Sequence, residues 1–366
     1  ALVGVAAVYP GTRNISLSIQ EQLGDSSKQV FTVYDGTTEM EVYAFDADST
    51  DETTNLLKAV NASDYVVLTH KADGVLAPLA VAGGELQGGA DPTVTNADYA
   101  TAWEALEQYF YNTITLDVDD DTNLTLSHML QEHTNEVFQG GKMSMCVVGE
   151  KTAVNFKTRV AHAKSFDNKL TVYLGDGFKN AQGREIDGVL AICTTAGHIA
   201  STPASQSIVH LKPFGAVDTM ESLTYDQYVE AIEAGMLLIS KDSEGNVWYD
   251  SGVNTLNTLA ENEDLGWKKI RRVKTRLEIM DRLDRAISPR VGRINTDNDG
   301  IAEVIQTGQG VLGDMVNELK LAAGAEITED SDNPRTADSA WFTIEAYDID
   351  SLEKIYLNYR FRYQNA

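Results

Sequence analysis

The stretch MCVVGEKTAVNFKTRVAHAKSFDNKLTVYL, residues 145–174, sets two short strand-like runs on either side of a helical stretch at 151–165. The runs are Met145-Cys146-Val147-Val148 and Leu170 to Leu174. The same rhythm extends outward, with strand-like Tyr65-Val66-Val67-Leu68 and Thr113 to Val118 and helical stretches near 97–110, 124–138 and 186–200. Strands that alternate with helices imply a mostly parallel sheet with helices packed on it, so the expected fold class is α/β.

Upstream, residues 1–50 read as a small β module. Ile15-Ser16-Leu17-Ser18-Ile19 alternates, and Val30 to Tyr34 and Met40 to Phe45 flank the turn Asp35-Gly36-Thr37-Thr38. The opening Ala1 to Tyr9 reads as a buried strand. It lacks a basic n-region, and no run of 18 apolar residues exists, so neither a signal peptide nor a membrane span is supported. The absent initiating Met implies sequence removed or left out upstream. Downstream, 223–235 makes another helix, and Met236 to Ser240 and Val247 to Asp250 form a hairpin around Glu244-Gly245-Asn246. A further helix runs from about Gly300 to Leu321 and ends at Gly324. The chain closes with Trp341 to Tyr347 and a long alternating strand carrying Ile355, Leu357, Tyr359, Phe361 and Tyr363 on one face.

Charge is distributed unevenly. The net charge is −26 over 366 residues, and residues 1–140 hold 22 acids against four bases. Such a field repels nucleic acid and anionic membranes and keeps copies apart. Yet Lys268, Lys269, Arg271, Arg272, Lys274, Arg276, Arg282, Arg285, Arg290 and Arg293 concentrate ten of the 29 cations, with three acids among them, for +7. Ile270, Val273, Leu277, Met280, Leu283 and Ile287 recur at three- and four-residue steps through this window, one face of a helix. Glu278 with Arg282 and Asp281 with Arg285 have the acid-first spacing that supports it. Lys268 to Lys274 alternates as well and reads equally as a strand feeding the helix. The cations suit either an anionic partner or long side chains covering apolar surface.

No enzymatic or metal chemistry is well spaced. His198 precedes Asp250-Ser251-Gly252 by 52 residues, the reverse of the subtilisin order, and no nucleophile elbow surrounds Ser201, Ser205 or Ser251. His198 is expected to pack from a helix onto the sheet. The glycine-rich Ala82 to Gly89 lacks both phosphate-loop endings and dinucleotide spacing. Asn295 to Gly300 lacks a first acid, and Gln306 stands where a calcium loop needs Glu, so it reads as a turn capping the next helix. Asp117, Asp119, Asp120 and Asp121 read as a strand end and an acidic helix N-terminus. Cys146 and Cys193 are too few for a disulfide framework and are expected as buried thiols. Catalytic, cofactor and metal sites are therefore not expected.

The order of motifs resembles the contractile-tail sheath proteins of bacteriophages and related prophage particles. It runs from Tyr9-Pro10-Gly11-Thr12-Arg13-Asn14 through Asn96-Ala97-Asp98-Tyr99 to Ala196-Gly197-His198-Ile199-Ala200-Ser201-Thr202-Pro203-Ala204-Ser205-Gln206-Ser207. Gly235-Met236-Leu237-Leu238, Ser251 to Leu256, Trp267 to Thr275 and Leu352 to Tyr356 follow in the family's order. The resemblance covers nearly the whole chain. It implies a β-sandwich-like module in 1–50, a central α/β domain in 51–250, subtilisin-like in fold but non-catalytic, and a C-terminal α/β domain in 251–366.

It also implies a six-start helical polymer of this chain around an inner tail tube, joined to a baseplate and a tail terminator. That polymer is assembled in the bacterial cytoplasm and contracts to drive the tube through an envelope. No nucleic acid or membrane insertion enters this reading. Carried onto this sequence, Lys268, Lys269, Arg271, Arg272, Lys274, Arg276, Arg282 and Arg285 become the tube contact. Ile355, Tyr356, Leu357, Tyr359, Phe361 and Tyr363 become a strand donated to a neighbouring subunit. Family members carry more sequence before the Tyr-Pro-Gly-Thr-Arg motif, where eight residues stand here, so a linking arm is expected to be missing, and a fragment without that arm would be monomeric and unable to make sheath. A hydrolase and a monomeric binding module using the basic helix are the competing readings.

Overall fold

The structure, a computed structural model, describes residues 2–9, 11–47 and 50–362. The chain divides into two compact units, Ala1–Thr95 and Asn96–Ala366.

In the first unit the order is β1 (Val3–Ala7), β2 (Ile15–Gln22), β3 (Asp25–Asp35), β4 (Thr38–Asp46), α1 (Glu52–Ala59) and β5 (Val66–His70). β2, β3 and β4 form an antiparallel meander, and β1 pairs antiparallel with β5. The strand at 65–68, read as part of the parallel series, therefore belongs to a different sheet. Periodicity identifies a strand but not its partner. Ile15, Leu17 and Ile19 meet Phe31, Val33, Phe45, Leu56 and Val66 in one core. β1 is half-buried rather than buried, because a two-stranded sheet leaves one of its faces open.

The glycine-rich stretch lies along β2. Leu17 N–H donates to Gly84 O at 3.0 Å, and Leu86 N–H donates to Ile15 O at 2.9 Å. A Cβ on Gly84 would stand 1.9 Å from Leu17 O, and one on Gly89 would stand 2.2 Å from Gly11 O. These glycines serve close backbone approach.

In the second unit come α2 (Asn96–Leu106), β6 (Thr113–Thr115), α3 (Thr125–Gln139), β7 (Met145–Gly149), α4 (Phe156–Phe166) and β8 (Thr171–Leu174). β9 (Phe178–Asn180), β10 (Glu185–Ile186), α5 (Val189–Ser201), β11 (Ala216–Thr219), α6 (Tyr225–Glu233) and β12 (Met236–Leu237) follow. The chain ends with β13 (Ile239–Lys241), β14 (Val247–Tyr249), α7 (Ile270–Ile287), α8 (Asn298–Asn317), β15 (Glu326–Glu329) and β16 (Phe342–Glu345).

The central sheet is parallel, in the order β12-β8-β7-β6. Alternation divides its side chains between two cores. Met145, Val147, Val172 and Leu237 join Ile192 and Ile199 of α5 and Ile270 and Val273 of α7. Cys146, Val148, Tyr173 and Met236 join Leu130 of α3 and Val160 of α4. Every residue of β7 is buried, which is why its sequence is apolar without interruption.

Several local readings shift. The hairpin expected from Met236 onward is split: Met236–Leu237 completes the parallel sheet, and only Ile239–Lys241 pairs antiparallel with β14. Lys268 to Lys274 is helix from Ile270 onward, preceded by a 3-10 turn at Leu265–Lys268. α8 stops at Asn317 rather than running to Leu321. Leu319 turns left-handed at φ 59°, Leu319 N–H bonds Val316 O and Lys320 N–H bonds Met315 O, closing the helix in a Schellman turn. Asp297 caps α8 through Gly300 N–H at 2.9 Å, as the turn reading of 295–300 expects.

Candidate interaction site at the basic helix

α7 buries Ile270, Val273, Leu277 and Leu283 along one face, so its cations emerge on the flanks. Each of the eight residues read as a tube contact has an intramolecular partner. Arg272 grips Asp348 with two parallel bonds of 2.7 Å, and Arg276 Nε adds a third at 3.1 Å. Asp264 bridges the same two guanidiniums, at 2.7 Å from Arg276 and 3.3 Å from Arg272. Lys269 holds Asp350 at 2.6 Å and Glu353 at 3.1 Å. Arg271 is buried and donates to Ile349 O and, at 3.0 Å, to Ser205 O. Lys268 donates to Asn257 O at 2.7 Å.

Lys274 donates to Ile199 O and Thr202 O, the carbonyls that close the C-terminal end of α5. A cation there offsets the negative end of the helix dipole. Farther along, Arg282 forks onto Glu318 and pairs with Glu278, while Arg285 pairs with Asp281 and lies over the Phe110 ring. Arg285 alone of the eight has more than a third of its side chain exposed.

Proton affinities follow these contacts. Burial pushes Lys274 down to about 8, with no carboxylate bonded to its ammonium group to restore it. Burial also lowers Arg271. Burial raises Asp348, but the bonds from Arg272 and Arg276 outweigh it and leave that carboxyl below its ordinary range. Arg282 and then Lys320 draw Glu318 down to about 2. Asp348 and Asp350, which hold Arg272, Arg276 and Lys269, lie 72 to 81 residues away from them, and no local pattern signals such a pairing.

The other candidate residues are accounted for by the fold. Asp120 accepts from Leu126 and Ser127 N–H and Asp121 from Thr125 N–H, covering the first turn of α3, while Asp119 pairs with Lys151. Ser201 Oγ donates to the backbone O of His198, and that ring meets Tyr249 edge-on. Ser251 Oγ and His198 Nδ1 are buried without a hydrogen-bond partner among the described residues, so they form no nucleophile–base couple. Cys146 is buried, and burial raises its thiol to about 11. Cys193 is exposed, because it falls off the face that α5 turns to the sheet. No helix among the described residues is long and apolar enough to cross a membrane.

The C-terminal segment differs from its reading as a strand. Residues 354–362 pair with no strand among the described residues, and Ile355, Tyr356, Leu357, Tyr359 and Phe361 are 67–94% exposed. A strand needs a neighbour to satisfy its ladder, and the described residues supply none. Tyr363 lies outside the described residues. Upstream, β15 and β16 form a two-stranded sheet in which Glu326 stands directly opposite Glu345.

Residues 93–255 match the family of the phage tail sheath protein central domain. The uncharacterized protein YqbK of Bacillus subtilis strain 168 is 27% identical, over 97% of this chain and 77% of the relative. The phage-like element PBSX protein XkdK of the same strain is 24% identical, over the same shares. A sheath tail protein from Desulfitobacterium hafniense has a similar fold, with a TM-score of 0.78 at 22% identity, over 97% of this chain and 78% of that one.

Proposed function

We propose that the chain, whose residues 93–255 match the phage tail sheath protein central domain, is the structural, non-enzymatic subunit of a contractile tail sheath. It polymerises helically around an inner tail tube in the bacterial cytoplasm, between a baseplate and a tail terminator, and contracts to drive the tube through the envelope. Its parallel sheet is the subtilisin-like layer of that fold without the catalysis.

The observation that carries polymerisation is the exposed segment 354–362. It alternates apolar residues like a strand, and its charges are Lys354, Arg360 and Arg362 with no acid. A cationic strand suits the β15–β16 sheet of a second copy, where Glu326 opposite Glu345 is a repulsive pair that an added cation would relieve. An isolated two-stranded sheet is also marginal, and a third strand would strengthen it. Tube contact through α7 falls on Arg285, since the other seven cations are less exposed and held within the chain.

Electron microscopy of the purified protein with tail tubes tests this reading. Hollow ridged cylinders are expected from the intact chain and none after deletion of 354–362. Persistent monomers of the natural full-length protein at high concentration would overturn it.

A further inference from the structure

The C-terminal segment changes character within one residue. Tyr347 to Glu353 is held along its length. Tyr347 O accepts from Ala322 N–H at 2.8 Å, and Ile349 N–H donates to Lys320 O at 3.1 Å. Asp348 sits between Arg272 and Arg276 with only 7% of its side chain exposed. Ile349 O is taken by Arg271, Asp350 by Lys269, and Glu353 by Lys269 and by Ser207 Oγ at 2.8 Å. From Lys354 to Arg362 nothing comparable holds the chain among the described residues, and these residues are exposed.

Apolar burial does not explain the hold, because Leu352 is exposed and Ile349 is the only other aliphatic residue between 347 and 353. The hold is ionic. Four cations on the first two turns of α7 and the residue before it meet three carboxylates and one carbonyl, and two of those cations are further tied to Asp264. Bidentate Arg–carboxylate pairs fix direction as well as proximity.

We infer that Lys269, Arg271, Arg272 and Arg276 form a latch that fixes where the C-terminal segment leaves the body. A pull on residues 354–362 then enters the unit at α7, beneath the parallel sheet, rather than unzipping the β15–β16 hairpin. The origin of that pull in a second copy rests on the sheath reading. The latch itself belongs to one chain.

Hydrogen exchange of the full chain at low salt tests the latch. Amides within 347–353 are expected to be protected and those of 355–362 to exchange freely. Asp348→Asn should lower protection across 347–353 at least tenfold while leaving Ile327 and Ile344 unchanged. Unchanged protection in that variant overturns the latch. Should Asp348→Asn fail to fold, Lys269→Ala decides, because loss of protection confined to 350–353 supports the proposal and no change refutes it. Deleting 354–362 separates this inference from the sheath reading. Cylinders that still form overturn strand donation and leave the latch standing, whereas loss of protection at 347–353 overturns the latch.

Discussion

β7 and the segment 354–362 are written in the same alphabet. Both are short runs rich in strand-forming apolar residues, yet β7 is buried at every position and the segment is exposed almost throughout. β7 has β6 and β8 on either side and helices on both faces, whereas the segment leaves an ionic latch and pairs with no strand among the described residues. Apolar alternation therefore states a need for burial without stating where the burial happens. In β7 the need is met within the fold, and in the segment it is not.

Substitution to Asp should separate the two regions most sharply. Val147→Asp places an unpaired carboxylate at 0% exposure and should cost more than about 4 kcal/mol, read as loss of the cooperative urea transition. Leu357→Asp should leave that transition within about 0.5 kcal/mol of the parent while abolishing cylinders in the microscope. Equal destabilisation by both changes would break the comparison.

Next in size is Lys274→Met, which tests whether polar groups beside the parallel sheet are satisfied internally. It strips a donor from two carbonyls and should cost about 1–3 kcal/mol. The pH dependence carries a sign. With Lys274 lowered to about 8, the unfolded chain binds more protons than the folded one from there up to about 10.4, so this group makes stability rise with pH across that window. Thermal melts of Lys274→Met should lack that component.

The smallest effect concerns a residue exposed for a local reason. Leu319 is in solvent because the chain turns left-handed there, not because it awaits a partner. Leu319→Gly should gain about 1 kcal/mol in denaturant melts and leave assembly untouched. A loss of assembly would show that exposure at this turn and exposure in 354–362 have the same cause.

Local information was legible in the sequence. The β7–α4–β8 unit, the apolar face of α7, the three strands of the first unit and the Asp297 cap all follow from periodicity and capping chemistry over a few residues. Pairings across long separations were not. Val66 to His70 joins β1, Met236 joins the parallel sheet, and the cations of α7 turn to Asp264, Asp348 and Asp350, because each choice is settled by packing that no short window contains. The positive window therefore stood out as a surface for an outside anion, although most of its charge is neutralised inside the unit.

The glycine-rich stretch bears on mutational tolerance. Its composition is that of a spacer, in which substitutions and insertions usually pass unnoticed. Gly84 and Gly89 instead face backbone oxygens at 1.9 and 2.2 Å from any added Cβ, while Gly83 would meet only a Leu79 methyl at 3.7 Å. A saturation library should find intolerance at 84 and 89 beside permissiveness at 83, and a tag placed in this stretch should disturb β2 and the core beneath it.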